Sequence, residues 1–285
     1  MLYLRTQDEL LVDVRARLRD GGGDRWSTTE VYRSLSRALE GWHGRVSAPA
    51  VYVISGGWPT DDFEITLPDW IPDAVQPQAQ WPVDPLLPND QNLSTWKDIA
   101  NWIVEPAEDG TRTLRLSVVP YNATARLLYH ITNGPVPSAL PTINAELSST
   151  ATTVTLASAV NVAPVGYIKI DAEWLLYRGV TRGSATTTLE NLVRAQYDTT
   201  AATHSSGATV YWGVAAPNNL VFVQLLDQTC AFVHELYLTD GSPKERDLHE
   251  RMLSYYQSKA DQFWRRHTNK APRWKPYLML LVCGV

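Results

Sequence analysis

Residues 6–42 read TQDELLVDVRARLRDGGGDRWSTTEVYRSLSRALEGW, and their spacing predicts two helices folded against each other. Thr6 and Glu9 are the two ends of a capping box: the hydroxyl accepts from the Glu9 amide while the carboxylate returns to the Thr6 amide. Leu10, Leu11, Val14 and Leu18 then recur at helical spacing. Asp20-Gly21-Gly22-Gly23-Asp24 breaks the helix, and Ser27 with Glu30 repeats the box. Val31, Leu35, Ala38, Leu39 and Trp42 follow on one face. Two boxes with matched apolar stripes around a glycine turn specify an αα-hairpin.

A second helical pair lies near the other end. Leu220–Leu238 is apolar on most sides, as a central buried helix is. Ser242-Pro243-Lys244-Glu245 is a third capping box with proline at the first helical position. Leu248, Met252, Tyr255, Tyr256, Ala260, Phe263 and Trp264 supply the expected apolar face. Neither pair buries its stripe alone, so the two are expected to pack as one four-helix body.

The middle of the chain is β-rich. Val51–Ile54 and Phe63–Leu67 are strand candidates. Residues 58–98 hold seven prolines, four tryptophans and eight acids against the single Lys97. Proline removes a donor and fixes φ, so a long ordered loop is expected there, pinned by Trp58, Trp70, Trp81 and Trp96. Asn101–Glu105, Arg112–Val119 and Ala123–Thr132 read as strands of a meander. From Ser138 to Gly213 charge is sparse, Ser and Thr abound, and short β candidates recur between turns. Val154–Leu156, Gly166–Ile170, Glu173–Tyr177, Leu189–Leu192 and Ala208–Tyr211 are those candidates. The expected fold class is therefore α+β. Residues 1–137 and 214–285 form the body, with a small antiparallel β region and a C-terminal tail from about 267; residues 138–213 form an inserted all-β module.

Composition excludes several classes. The 285 residues are 44% hydrophobic, enough for a sizeable core. The net charge of −5 argues against coating nucleic acid by bulk positive charge. That charge is unevenly spread: six cations against Asp261 give the last 27 residues +5, so the first 258 carry −10. Cys230 and Cys283 are too few and too far apart for a disulfide scaffold or a CxxC site. The N-terminus reaches charge at once, so no signal peptide is expected. Gln224, Asp227, Gln228, His234 and Glu235 make Leu220–Leu238 too polar to span a bilayer, and Leu278–Val285 is too short. No membrane partner is expected.

Catalytic patterns fail at specific positions. His234-Glu235 and His249-Glu250 both open an HExxH pattern, but Leu238 and Leu253 stand where the second histidine belongs. Gly21–Gly23 leads into Asp24-Arg25, not the Lys-Ser of a phosphate loop, and no GxSxG elbow occurs. Cys230, among Thr229, Ala231 and Phe232, reads as a buried thiol. His43, His130, His204, His234, His249 and His267 show no ligand spacing. Asp61, Asp62 and Glu64 read as a solvated turn between strands, or as a carboxylate cluster for acid–base work or cation binding. No catalytic residue, cofactor or metal ligand is expected.

Two stretches resemble known phage proteins. Leu10–Arg15 with Asp24-Arg25-Trp26-Ser27 and Glu30 is similar to the N-terminal hairpin of tailed-bacteriophage head-to-tail adaptor (connector) proteins, and residues 220–238 and 243–267 to their closing helix pair. Gly166–Glu173, Tyr177–Val180, Leu192–Arg194 and Thr200–Ala208 resemble a small β module that recurs in phage tail proteins.

The resemblance implies a structural virion protein, made in the host cytoplasm and placed at the head–tail junction. It implies a homo-oligomeric ring, usually dodecameric, under the portal protein. That ring meets the tail nozzle or tail-tube protein and lets DNA pass through its channel without specific binding. In the family the C-terminal tail docks on the portal. Here that tail offers Arg265, Arg266, Arg273 and Lys275 for steering, and Trp274, Tyr277, Leu278 and Leu280 for apolar hold. The alternatives are a cell-wall or glycan hydrolase of the tail and a receptor-binding tail module built on the insert.

Overall fold

The computed structural model describes residues 3–23, 25–42, 46–53, 64–67, 78–82, 96–98, 102–106, 111–116, 126–216, 219–238 and 243–267. Their order begins β1 (Tyr3–Thr6), α1 (Gln7–Leu18), α2 (Thr28–Glu40), β2 (Ser47–Val53), β3 (Glu64–Leu67), β4 (Gln78–Pro82), β5 (Trp96–Asp98), β6 (Trp102–Pro106), β7 (Arg112–Leu116) and β8 (Arg126–Thr132). It continues β9 (Val154–Leu156), β10 (Val165–Ile170), β11 (Glu173–Arg178), β12 (Val180–Arg182), β13 (Thr187–Leu189), β14 (Val193–Gln196), β15 (Val210–Ala216), α3 (Asn219–Leu236) and α4 (Pro243–His267). The class is α+β, as expected.

Both N-terminal capping boxes form. The Thr6 and Ser27 hydroxyls accept from the Glu9 and Glu30 amides at 3.1 and 3.3 Å, and the two carboxylates accept from the Thr6 and Ser27 amides at 2.9 and 2.8 Å. Thr6 has a second role. Its extended backbone (φ −76°, ψ 155°) is also the last residue of β1, a strand not foreseen from the sequence.

β1 is the edge of a five-stranded antiparallel sheet ordered β1-β15-β10-β11-β14. Tyr3 pairs with Ala216 and Thr6 with Gly213. Gly213 also pairs with Tyr167 on the other side, and a Cβ there would lie 2.8 Å from both the Tyr167 Cβ and a ring carbon of Trp174. Only glycine lets two strands and an indole close over that backbone. A three-stranded sheet, β12-β13-β9, completes the module.

Two corrections to the expected organisation follow. The boundary at 213/214 falls inside β15, and the body's own β1 pairs with that strand. Buried residues of the helices (Leu10, Leu35, Phe222, Leu225) and of the module (Ile143, Ile168, Leu175, Trp212) belong to one continuous core. The module therefore shares its interior with the helices. The expected meander also fails: β6 and β7 pair, with β3 on the far side of β7, whereas β8 pairs with β2 and β4 in a separate four-stranded sheet, β2-β8-β4-β5. β4 and β5 lie where a loop was expected, with Trp96 in register with Pro82 and Trp81 with Lys97.

The helices do pack as one unit, with α3 in its middle. Leu225, Cys230, Ala231 and Val233 are fully buried. Trp42 donates its indole N–H to Gln224 at 2.6 Å, the Arg17 guanidinium pairs with Asp227, and the Tyr256 hydroxyl donates to the Arg17 carbonyl at 3.1 Å. These three contacts tie α2, α1 and α4 to α3 or to each other. Leu225→Ala is expected to lower unfolding stability by about 2–5 kcal/mol, because it empties a fully enclosed site. Val12→Ala, at a position 61% exposed on α1, should stay within about 0.5 kcal/mol. Urea unfolding followed by circular dichroism measures both.

Candidate docking surface

α4 is the element that leads toward the cationic end of the chain. At about 100° per residue, the positions that reach α3 are those near His249, Tyr256 and Ala260, all buried, with Met252, Leu253 and Phe263 partly buried beside them. Leu248 and Tyr255 each stand one position before an inward residue, which turns them to the flank. They are 45% and 50% exposed, although both were expected to face inward. The Lys259 ammonium lies 4.5 Å from the centre of the Tyr255 ring, so part of this flank is a cation–π contact. Asp247 and Arg251 pair along the same helix at i, i+4.

Of the residues expected to dock, Arg265 is exposed in the last turn of α4, and Arg266 lies in that turn. Arg273, Trp274, Lys275, Tyr277, Leu278 and Leu280 lie outside the described residues. So do Trp58 and Trp70 of the expected loop anchors, the acids Asp61 and Asp62, and the cap Ser242. Trp81 sits in β4 and Trp96 in β5.

The fold brings together two groups of titratable residues that spacing did not reveal. The first joins α3 to α4. His234 and His249 face each other with their Nδ1 atoms 2.9 Å apart, both buried. Tyr256 stacks on His234 and Tyr237 on His249, while Trp26 meets His234 edge-on. Burial pulls His234 down to about 4, with His249 and Arg25 adding repulsion. Burial, then Arg25, also lowers His249, against the attraction of Glu245. The available signal was each histidine's place on its helix's inward stripe; a search for metal-ligand spacing passes over it.

The second group fastens the module. Glu173, 1% exposed, takes a two-pronged ion pair from Arg194 at 2.8 and 2.7 Å and two backbone N–H bonds, from Ala195 and Ala202, at 3.0 Å each. His204 bridges Glu173 at 2.9 Å and Asp171 at 2.7 Å through its two ring nitrogens. Arg194 also donates to the carbonyls of Ser148 and Ala202. Burial pushes the Glu173 carboxyl up, but the bonds from Arg194, the Ala202 amide, His204 and the Ala195 amide outweigh it and hold it at about 2. Together these bonds close loops of the module around Glu173, which is the work of a structural clamp.

Elsewhere, burial raises the Cys230 thiol to about 12, which makes it inert as a nucleophile at neutral pH. Burial also lifts Asp227, against the pull of Arg17 and Lys259. Among the described residues no three His, Cys, Asp or Glu side chains are grouped to hold a metal, and no helix is long and apolar enough to cross a membrane. No protein-family model, curated protein or solved structure matches this chain.

Glu173→Gln leaves Arg194 without its buried counter-charge and removes a carboxylate oxygen from His204, and is expected to cost about 3–5 kcal/mol at pH 7. The folded carboxyl titrates near 2 and the unfolded one near 4.5, so its contribution is fully present above about pH 4.5 and lost as pH falls toward 2. The stability gap between parent and variant, from urea unfolding, should therefore narrow across that window.

Proposed function

We propose that this chain is the head-to-tail adaptor of a tailed bacteriophage, a ring component that sits under the portal protein and joins it to the tail. The observation that carries this is the helical body: α1, α2 and α4 pack around α3, and α4 ends at His267, where the sequence enters its strongly cationic last segment. Such a body is held by its own core, which leaves the flank of α4 for partners. Leu248 and Tyr255 on that flank, and Arg265 at its end, are exposed groups of the kind that form an apolar contact rimmed by charge.

The charge distribution supports the same function. A segment of +5 is steered toward an acidic surface on a neighbouring protein, over a range of about 8 Å at physiological salt. The −10 of the first 258 residues suits a ring through which DNA slides, because Lys and Arg contacts to phosphate dominate non-specific affinity. The apolar run from Tyr277 to Val282 supplies holding energy, at roughly 1.5–3 kcal/mol for each side chain fully buried. Many copies in one ring would make even a weak attachment durable.

Truncation after His267 tests this. The shortened chain is expected to keep the circular dichroism and urea midpoint of the parent and to lose sedimentation with purified portal rings. Undiminished binding at roughly 0.15 M salt would move the contact from the tail to the helical flank. A parent chain that stays monomeric, ignores portal rings and cleaves cell-wall glycan would replace the adaptor with a hydrolase.

A further inference from the structure

We propose that the His234–His249 pair is an acid-sensitive catch that holds α4 against α3, closed at neutral pH and opened when both imidazoles carry an added proton. This stands apart from the adaptor function and rests on the packing of the hairpin alone.

The geometry permits one proton between the rings. At 2.9 Å the two Nδ1 atoms share a hydrogen bond only if one donates and the other accepts. A first added proton leaves the bond intact when the donor ring shifts its own proton to Nε2 and accepts at Nδ1; a second puts two N–H groups face to face and adds a further charge in a buried site. The site's walls are aromatic: Trp26 lies 5.7 Å and Tyr256 5.9 Å from His234, and Tyr237 lies 5.7 Å from His249. The cost lies in taking a second charge out of water, which the ring faces offset only in part.

Among the charged groups around the pair, Arg25 acts in the same direction and Glu245 against it. Arg25, from the connection between α1 and α2, repels both rings when they are protonated. Glu30 of α2 accepts from the Tyr237 hydroxyl at 2.9 Å, and Glu235 of α3 is paired with Arg37 at 3.0 Å. Glu245 of α4 attracts a protonated His249 but is outweighed by burial and Arg25. Both histidines are thus held below 6.5, so protons bind the open state more readily than the closed one. The sign follows: the catch contributes its full stability above about pH 6.5 and loses it as pH falls toward 4. Opening exposes the inward stripe of α4, with Met252, Leu253, Tyr256 and Phe263.

Amide hydrogen exchange on the full chain, read by mass spectrometry and corrected for intrinsic rates, tests the catch. From pH 7 to pH 5 the opening of residues 243–267 should increase about twentyfold from His234 alone, given titration near 4 when closed and 6.5 when open. α1 and α2 should change much less. Equal loss of protection in every helix, or none in α4, would overturn the proposal. The His234→Phe/His249→Phe double variant should hold α4 with little dependence on pH over that range; an acid response like the parent's would equally overturn it. Should that variant not fold, proton titration of the two imidazoles in the folded parent decides. Midpoints below 6.5 support the catch, and midpoints at or above 6.5 exclude it.

Discussion

The four-residue ladder between β1 and β15 fixes the rest of the molecule. β1 runs without a break into α1, and β15 leads two residues later into α3. Pairing Tyr3 with Ala216 and Thr6 with Gly213 therefore brings the two helices together beside one sheet. The loop closed by that pairing is long, but closure entropy grows only with the logarithm of loop length. Once it is closed, α1 and α3 pack at high effective concentration. The cation of Arg5 lies 5.7 Å over the Phe222 ring, and Arg17 reaches Asp227, at opposite ends of the same contact.

Burial of charge follows one rule throughout. How far a buried carboxylate is pulled toward its charged form follows the number of donors that converge on it. Glu173 receives five hydrogen bonds from Arg194, His204 and two amides, and its carboxyl is pulled well below the ordinary range. Asp227 has one arginine and remains on the other side of that range. The histidine pair is the opposite solution. It satisfies two rings with each other, and that bond is lost once both carry an added proton.

These choices leave the molecule with a firm interior and a spare helical flank. α1, α2 and α4 each meet α3 through their apolar stripes, and α4 is left with Leu248 and Tyr255 outside. For the proposed adaptor the division is useful. Subunit folding draws on one core that spans helices and module, while contact with neighbours draws on residues that core does not need.

The local elements were legible in the sequence because their causes are local. Thr6 with Glu9 and Ser27 with Glu30 cap helices through atoms three residues apart, and Leu10, Val14 and Leu18 mark a face by spacing alone. The class, the helix pairs and most strands of the module follow from such patterns. Tertiary structure decided what depends on partners distant in the chain. Only pairing with β15 makes Tyr3–Thr6 a strand, and only pairing with β2 draws β8 out of a meander with β6 and β7. Likewise His234 meets His249, and His204 with Arg194 meets Glu173, through contacts no spacing encodes. The physical reason is that apolar burial is non-directional. A stripe on α4 states that one side will be covered; which of Leu248, His249, Tyr255 and Tyr256 go inside is settled by how α3 lies against it.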